Sequence, residues 1–564
     1  MAALGGVPVI ILKEGTQRES GREAIENNIM AARAVANAVK TTLGPKGMDK
    51  LLVDALGDVT ITNDGVTILR EMEVQHPAAK MVVEAAKTQD KEVGDGTTTV
   101  AILIGELLKH ARELMEKGVH PTVIARGYAL AAGKAVEFLN SIARDVSEKD
   151  RELLEKVAIT AMTGKLAETP SHKVARYAVD LVLSTVDKFN GKTVVDLDNV
   201  MVEKRVGGGI EDSELVRGVI IDKERVHQNM PTRVENARIA LLNVPIERRD
   251  TETKAEISIT SGDQFQLFMD HEKEEIRKVV DKVIRSGANV VFCQKGIDDL
   301  AQHFLAKAGI MAYRRMRKSD LEKLSRATGG RLITNLDEMR PEDLGEAALV
   351  EERIVGAGPM TFVTGCRNPG YLSLILRGGT QQVVDSLERA LDDALHAVAT
   401  AIESGKLLAG GGAPETAVSI RLRQYAASLK GREQLAVEKF AEAMEVVPKT
   451  LAENAGFNPI DKMVALRSKH EKSGSTYGLN AYTGEIVDMW DIGVVEPLRV
   501  KVQAIYSATD AANLILRIDD VIAAKKKEEE EEREGQMQGG MPGMGGMAGM
   551  GGMGGMGGFP PGMM

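Results

Sequence analysis

Residues 94–99 read Gly-Asp-Gly-Thr-Thr-Thr, and the apolar positions of an amphipathic helix follow directly. Glycines allow close approach to the backbone, and the free N–H groups of a helix N-terminus bind phosphate together with threonine hydroxyls. Asp95 would repel a phosphate unless a divalent cation lay between them, so the pattern indicates Mg²⁺ bridged to phosphate oxygens. The alternative is an Asp-Gly turn whose threonines cap the helix.

Two further glycine turns and a pair of carboxylates are weaker candidates for the same chemistry. Residues 43–47 read Leu-Gly-Pro-Lys-Gly, which is equally a helix stop followed by a loop. Residues 410–412 are three glycines that follow another predicted helix. That helix carries Asp392 and Asp393 beside its apolar stripe, where carboxylates usually form a solvated face. The pattern alone does not choose between the two carboxylates.

The composition limits the partners and the location of the protein. Of 564 residues, 43% are hydrophobic, which is enough for several cores. The formal net charge of -10 provides no general positive field for nucleic acid. Cys293 and Cys366 are far apart and have no CxxC partner, which favours a reducing, cytoplasmic location. No apolar run approaches the roughly 20 residues of a membrane helix, so we expect no membrane contact.

Hydrophobic periodicity predicts helices near both ends of the chain and an α/β rhythm between them. Apolar residues recur every three or four positions in residues 20–43 and again in residues 387–402. In the middle, short apolar runs such as residues 290–293 alternate with helical stretches. This alternation predicts an independent α/β domain inserted between two mainly helical portions.

Short β-branched runs near the N-terminus predict strands. Residues 59–62 and 66–69 are separated by Asn63-Asp64-Gly65, which is turn chemistry between extended segments. We therefore predict that Asp64 lies in the turn of this pair. Another apolar run, residues 7–12, is predicted to be a strand rather than a secretory signal, because no basic segment precedes it.

Two segments differ from the rest in composition. Residues 246–272 are densely charged yet include Leu267, Phe268 and Met269, which favours an exposed protrusion that carries an apolar patch. An ordinary helix that docks on its own domain is the alternative. Residues 527–564 end the chain in a Gly- and Met-rich tract that cannot bury a stable core, so we expect disorder there.

Taken together, several motifs closely resemble the group II chaperonins, or thermosomes. The resemblance extends over essentially all of the chain up to Ala524. Asn63 fits this group better than the bacterial group, which carries lysine there. The matching segments are Thr42 to Asp49, Asn63-Asp64-Gly65, residues 94–99, Met162-Thr163-Gly164-Lys165, Leu391 to Leu395, Ala409 to Gly412, and Val495-Glu496-Pro497.

The resemblance implies the chaperonin fold, a multidomain α+β and α/β architecture. A mainly helical equatorial domain would bind ATP, a small intermediate domain would follow it on each side, and an α/β apical domain would bind unfolded protein. The apical domain would carry a helical protrusion at about residues 246–272 as a lid. The implied limits are 1–150 with 402–526 (equatorial), 151–219 with 370–401 (intermediate) and 220–369 (apical).

The same resemblance assigns roles to individual residues. Asp64 and Asp393 would be the hydrolytic carboxylates that orient or deprotonate the attacking water, and the Asp-Ala-Leu context favours Asp393 over Asp392. Asp95 would bind Mg²⁺. Lys165, otherwise a surface lysine after a turn, would sense the γ-phosphate. The implied nucleotide-binding set is Thr42, Leu43, Gly44, Pro45, Gly96, Thr97, Thr98, Thr99, Lys165, Gly411, Gly412, Gly478 and Glu496, with Gly411 and Glu496 at the nucleoside.

These roles imply an ATP-dependent molecular chaperone that encloses non-native proteins. The resemblance implies a homo- or hetero-oligomeric double ring of about eight subunits per ring, with no separate lid protein. Closure would use hinges near residues 207–209 and 378–379. Candidate client contacts are Leu300, Phe304 and Leu305, whose spacing equally fits a domain core, together with Leu267, Phe268 and Met269.

Two other classes of function remain open from the sequence. One is a metabolic or signalling ATPase whose middle domain binds a small molecule. The other is a ring scaffold that retains the nucleotide only structurally. Hydrolysis that responds to unfolded protein, a specific small-molecule product, and nucleotide retention without turnover would distinguish the three classes.

Overall fold

A computed structural model describes residues 17–54, 56–165, 171–247, 262–368 and 370–523. The described residues fall into two compact units, one from parts of residues 1–25 and 518–564 and the other from residues 26–517. The predicted strand at residues 7–12, the predicted tail and residues 248–261 of the predicted lid lie outside the described residues.

The described residues form sixteen α-helices, most of which bury one apolar stripe. They are α1 (Gly21–Lys40), α2 (Gly65–Glu71), α3 (Pro77–Val93), α4 (Thr97–Glu116), α5 (Pro121–Ile142), α6 (Arg151–Met162), α7 (Ser171–Ser184), α8 (Gly262–Arg285), α9 (Asp299–Lys307), α10 (Lys318–Thr328), α11 (Gln381–Ser404), α12 (Ala413–Ser428), α13 (Glu433–Met444), α14 (Val446–Asn454), α15 (Pro459–Ser473) and α16 (Leu498–Leu516).

Twenty strands accompany these helices in the described part of the chain. They are β1 (Gln17–Ser20), β2 (Lys50–Val53), β3 (Val59–Thr62), β4 (Arg144–Asp145), β5 (Val186–Phe189), β6 (Lys192–Val195), β7 (Met201–Val206), β8 (Glu214–Ile221), β9 (Arg233–Leu242), β10 (Val290–Cys293), β11 (Met311–Tyr313), β12 (Leu332–Ile333), β13 (Gly345–Val355), β14 (Gly358–Cys366), β15 (Leu372–Gly378), β16 (Lys406–Ala409), β17 (Tyr477–Leu479), β18 (Ile486–Asp488), β19 (Val495–Pro497) and β20 (Asp520–Ala523).

The largest sheet is mixed and belongs to the middle of the chain. Its strand order is β11-β10-β9-β13-β14-β8-β15-β7, and β12 also pairs with β9. β9, β10 and β11 run parallel, whereas β13, β14 and β8 are antiparallel to their neighbours. The alternation of short strands with α8, α9 and α10 confirms the predicted α/β character of this region.

This sheet is covered on both faces. Val290 and Phe292 of β10 belong to a core that includes apolar residues of α10. Val291 and Cys293 of the same strand belong to a core that includes residues of α8 and α9. Because consecutive strand residues point to opposite faces, a four-residue strand that is apolar throughout fits between two helical layers.

Helices from the two ends of the chain pack against each other. α4, near the N-terminus, packs against α16, α13 and α3, and α5 packs against α13 and α16. A further core joins α6 and α7 to α11 through residues such as Leu154, Val174 and Leu391. The predicted helical stripes at residues 20–43 and 387–402 are confirmed as α1 and α11. Within the 26–517 unit, sequence-distant helices therefore position a common set of loops.

One local prediction is wrong. Residues 66–69 are not a strand but part of α2, whose N-cap is Asp64. The Asp64 carboxylate accepts a hydrogen bond from the backbone N–H of Thr67, and Val66, Ile68 and Leu69 are buried. The cap and the tertiary burial outweigh the modest β preference of the branched residues.

Candidate functional site

A cavity of about 750 Å³ lies among loops within the 26–517 unit. It is lined by residues from both ends of the 26–517 unit, including Asp64 and Asp95. Of the predicted nucleotide-binding set, Thr42, Leu43, Gly44, Pro45, Gly96, Thr97, Thr98, Thr99, Lys165, Gly411, Gly412 and Glu496 line this cavity. Asp393 and Gly478 do not line it, but each touches a residue that does.

The N-terminus of α4 forms one wall of the cavity. Gly94 ends α3 with a φ of 67°, and Gly96 precedes α4 with a φ of 81°, so both adopt the left-handed conformation that glycine tolerates best. Gly96 supplies no side chain to cap α4. The first N–H groups of a helix have no intrahelical acceptors, so this end of α4 can bind anionic oxygens.

Asp95 lies between these two glycines. Its Oδ1 accepts a hydrogen bond from the Gly96 N–H at 2.6 Å. Gln89 fixes the backbone here, because its Nε2 donates to the Asp95 carbonyl at 2.8 Å and to the Val500 carbonyl at 3.2 Å. No hydrogen bond within the described ranges involves Asp95 Oδ2, which leaves one carboxylate oxygen to serve as a ligand.

The loop after α1 approaches the cavity closely because Gly44 has no side chain. Gly44 has a φ of 84°, and a Cβ placed on it would lie 2.3 Å from Cδ2 of Leu451. Asn454 of α14 holds the same loop, since its Nδ2 donates to the carbonyls of Lys40 and Leu43 at 3.1 and 2.8 Å. The predicted glycine turn is therefore a closely packed loop and not only a helix stop.

Asp64 enters the cavity from the N-terminus of α2. Its Oδ2 accepts from the Thr67 N–H at 2.9 Å and from the Thr67 hydroxyl at 2.7 Å. Among the hydrogen bonds of the described residues, none reaches Oδ1. A Cβ on Gly65 would lie 2.4 Å from Oγ1 of Thr98, so α2 starts directly against the phosphate-binding candidate. Asp64 thus has one oxygen held and one oxygen available for water.

Asp393 of α11 forms an ion pair with Lys165, and their side chains are 14% and 18% exposed. Lys165 follows Gly164, whose carbonyl accepts from Nδ2 of Asn63 at 2.6 Å. A Cβ on Gly164 would lie 2.9 Å from the Gly44 carbonyl oxygen, so two cavity loops touch through their backbones. The adjacent Asp392 lines a different cavity, which distinguishes the two carboxylates that the pattern could not separate.

A second helix N-terminus forms another wall. Gly412, with a φ of 76°, is the N-cap of α12 and provides no side-chain cap. Gly411 has a φ of 62°, and its carbonyl accepts from the Leu479 N–H at 2.9 Å. Gly478 packs behind this loop, where a Cβ would lie 2.7 Å from the Gly410 carbonyl oxygen. Its role in the structure is close packing behind the cavity wall.

Glu496, at the same wall, belongs to a buried ion cluster that the sequence did not suggest. Lys501 of α16 pairs with Glu496 at 2.6 Å and with Glu415 of α12 at 2.9 Å. Burial raises the pKa of Glu496, although Lys501 opposes this effect. Lys501 occupies the buried stripe of α16 that includes Ala504, and a lysine on an apolar stripe was the signal for a buried partner.

The predicted client contacts have different environments. Leu305 is 0% exposed and belongs to the core beneath α9, as the domain-core alternative predicts. Leu300 and Phe304 are half-buried against the same core. Leu267 is 70% exposed on α8. Met269 is half-buried on α8, and the side chain of Phe268 lies outside the described part of the chain.

Magnesium fits this cavity only if the substrate supplies most of its ligands. Within the described ranges, no group of three or more His, Cys, Asp or Glu residues could hold a metal ion. Mg²⁺ commonly binds through one or two carboxylates together with substrate phosphates and water, and Asp95 has a free carboxylate oxygen for this arrangement.

Within the described ranges, no helix combines the length and apolar character needed to cross a membrane.

Comparison with known proteins agrees with this architecture. The model of the TCP-1/cpn60 chaperonin family matches residues 35–526. Thermosome subunit beta of Archaeoglobus fulgidus is 57% identical over 544 residues, which cover 96% of this chain and 99% of the relative. Thermosome subunit alpha of the same organism is 57% identical over 539 residues, with the same coverage.

A solved structure gives the same result. The open state monomer of a group II chaperonin from Methanococcoides burtonii is 52% identical and has a TM-score of 0.57. It covers 76% of this chain and 100% of the solved chain. The family match, the near full-length relatives and this structure together show that the chain belongs to the TCP-1/cpn60 chaperonin family, and within it to the group II chaperonins.

Proposed function

We propose that this chaperonin binds and hydrolyses Mg-ATP in the 750 Å³ cavity and uses hydrolysis to enclose non-native proteins. The observation that supports this most is the convergence of two helix N-termini without side-chain caps, α4 and α12, on a cavity that also contains Asp64, Asp95 and Lys165. The chaperone function itself follows from membership of the group II chaperonins, which are ATP-dependent chaperones with a built-in lid.

The phosphates of ATP would lie at the N-terminus of α4, near Thr97, Thr98 and Thr99. Helix N–H groups and hydroxyls there match phosphate oxygens. The Thr42 to Pro45 loop would close over the phosphates from the opposite side. The nucleoside would lie toward Gly411 and Glu496.

The attacking water would be oriented by Asp64 and Asp393. Asp64 offers Oδ1, because its other oxygen is held by Thr67. Asp393 is paired with Lys165, which also lines the cavity. Binding of a γ-phosphate would attract Lys165 and free the Asp393 carboxylate for the water, which would make hydrolysis depend on the presence of ATP.

Asp95 would hold Mg²⁺ through its free oxygen. When bound, the ion neutralises phosphate charge and makes phosphoryl transfer easier. The side chains of the protein then orient the water and accept its proton.

The assembly and its moving parts belong to the same proposal. The names of the Archaeoglobus relatives, subunits alpha and beta, support a homo- or hetero-oligomeric assembly. We propose two rings of about eight subunits each, located in the cytoplasm, with a lid at residues 246–272 and no separate lid protein. The equatorial, intermediate and apical limits given above, and hinges at residues 207–209 and 378–379, complete the proposal.

The proposal is tested by comparing ATP hydrolysis in two variants, Asp393→Ala and Asp392→Ala, which change adjacent residues of α11. We expect Asp393→Ala to lower steady-state ATP hydrolysis by about a hundredfold or more while ATP binding persists, because a group that orients or deprotonates the water is lost. Asp392→Ala should keep turnover close to that of the unchanged chain, because Asp392 faces a different cavity. Equal turnover in both variants would contradict the assignment of Asp393.

A further inference from the structure

The buried cluster of Lys501, Glu415 and Glu496 joins three elements at one wall of the cavity. Nζ of Lys501 lies 2.9 Å from Oε1 of Glu415 and 2.6 Å from Oε2 of Glu496. The side chain of Lys501 is 10% exposed, that of Glu415 is 3% exposed and that of Glu496 is 20% exposed. Both Lys501 and Glu496 line the cavity.

The cluster has two carboxyl groups and one ammonium group. Burial disfavours the charged form of Lys501, but Glu415 and Glu496 outweigh this effect and raise the pKa of its ammonium group. Oε2 of Glu415 is buried and has no hydrogen-bond partner in the described structure. Two buried carboxylates therefore share one lysine, and removal of that lysine would leave both without a counter-ion.

Glu496 presents its second oxygen toward the glycine wall. Oε2 is occupied by Lys501, whereas no hydrogen bond within the described residues reaches Oε1. A Cβ on Gly410 would lie 3.0 Å from Oε1, so the absence of a side chain there leaves room for this oxygen. An ionised carboxylate accepts hydrogen bonds only, and hydrogen bonds from hydroxyl groups to a charged acceptor are among the stronger ones.

We propose that Lys501 is a positioning residue for nucleoside recognition, because its ion pair with Oε2 orients Glu496 so that Oε1 accepts hydrogen bonds from ribose hydroxyls. This inference rests on the proposed function, since it assumes that a nucleotide occupies the cavity. It concerns the sugar and not the phosphates. Its effect must therefore appear with a nucleotide and not with a phosphate compound that lacks the nucleoside.

The experiment compares MgADP with Mg-pyrophosphate by isothermal titration calorimetry on the assembled protein. In Lys501→Met the side chain keeps a similar length and loses its charge. We expect the affinity for MgADP to fall by about tenfold or more, as befits a lost hydrogen bond to a charged group, while the affinity for Mg-pyrophosphate changes by less than about twofold.

Lys439 provides a matched control. Its Nζ lies 2.6 Å from Glu442 and 2.9 Å from Glu113, so it shares two carboxylates at the same distances as Lys501. It does not line the cavity. Lys439→Met should leave the affinities for both ligands unchanged.

A second substitution separates positioning from general damage. In Glu415→Gln/Lys501→Met the neighbouring carboxylate is neutral, so Glu496 no longer has to share the site with a second buried charge. We expect the double variant to recover part of the MgADP affinity that Lys501→Met loses. Damage to packing alone would make the double variant worse than the single variant.

The outcomes differ for the inference and for the proposed function. Unchanged MgADP affinity in Lys501→Met, or an equal loss of MgADP and Mg-pyrophosphate affinity, would overturn the role of Lys501 and leave the proposed function standing. An unsubstituted protein that bound neither ligand would overturn the proposed function itself. If Lys501→Met does not assemble, Lys501→Gln, which keeps a donor without the charge, is measured in the same way.

Discussion

Two buried ion clusters in the helical part of the molecule combine carboxylates and cations in opposite proportions. In the Lys501 cluster, one lysine serves Glu415 and Glu496. In the Glu445 cluster, one carboxylate serves three cations and a hydroxyl: Arg423 at 3.1 Å, Lys449 at 3.1 Å, Arg467, and Ser419 at 2.9 Å. The first borders the cavity, and neither Glu445 nor any of these partners is among the residues that line it.

The difference lies in which charge is left available. Burial alone would raise the pKa of Glu445, but Arg467 and Lys449 hold it at about 2. Glu445 is 1% exposed, whereas the three cations are each more than one third exposed and remain hydrated. The surplus of cations thus stabilises one carboxylate that connects α12, α14 and α15. The surplus of carboxylates at Lys501 leaves Oε1 of Glu496 without a hydrogen bond in the described structure, at one wall of the cavity.

Of the variants that test this comparison, we expect Glu445→Ala to reduce the stability of the protein most. Removal of the carboxylate leaves three cations and a hydroxyl without their shared partner. We expect the free energy of unfolding to fall by about 3 kcal/mol. This is the low end of the range for breaking a buried ion pair, because the charged groups of the three cations are partly hydrated. The midpoint of thermal unfolding should fall by several degrees, while the MgADP affinity of the folded protein stays close to normal.

The control for this prediction is Glu453→Gln. Glu453 also pairs with a cation, Lys40, at 2.7 Å, but its side chain is 42% exposed. An exposed pair contributes little, so its loss should barely move the unfolding midpoint. If both variants lowered the midpoint equally, the contrast between buried and exposed carboxylates would be wrong.

The pH dependence of stability gives the next largest effect. The pKa of Glu445 falls from 4.5 to about 2 on folding, so its contribution is fully present above about pH 4.5 and is lost as the pH falls through the folded pKa. This shift corresponds to roughly 3 kcal/mol at most. The difference in unfolding midpoint between the unsubstituted protein and Glu445→Gln should therefore shrink between about pH 4.5 and pH 2. A difference independent of pH in this window would contradict the ionised state.

The sequence could predict features that depend on neighbouring residues. The apolar run at residues 290–293 predicts β10, and the stripe at residues 387–402 predicts α11, because an uninterrupted apolar run and a stripe with a period of 3.6 residues both depend on neighbouring residues. The glycines at 94 and 96 indicated a close backbone approach, and both adopt positive φ values. Local chemistry therefore located the cavity wall.

Other features depend on packing that the local pattern does not contain. Residues 66–69 are as suitable for a strand as for a helix, and the cap from Asp64 together with burial decides for α2. The spacing of Leu300, Phe304 and Leu305 fits a client surface and a domain core equally, and only the packing shows that Leu305 belongs to the core. Lys501 finds its partners on α12 and β19, which are distant in sequence, so only its position on an apolar stripe could have marked it.

The smallest effect tests the element that joins the Glu445 cluster to the cavity. α14 begins after Glu445, and its last residue, Asn454, donates to the carbonyls of Lys40 and Leu43. We expect Asn454→Ala to cost about 1–2 kcal/mol, the value of two neutral hydrogen bonds, and to show mainly as weaker binding of both MgADP and Mg-pyrophosphate, because we propose that the Gly44 loop contacts phosphate. This result would contrast with Lys501→Met, which we expect to weaken the binding of MgADP alone.

The control for Asn454 is Asn140→Ala, since Nδ2 of Asn140 also donates to a carbonyl, that of Val136 at 2.9 Å, on an exposed part of α5. It should change neither affinity. Asn454→Asp should bind phosphate compounds more weakly than Asn454→Ala, because a carboxylate cannot donate to the two carbonyls and repels anions. Unchanged affinities in Asn454→Ala would mean that the loop is held by the contact of Gly44 with Leu451 rather than by the amide of Asn454.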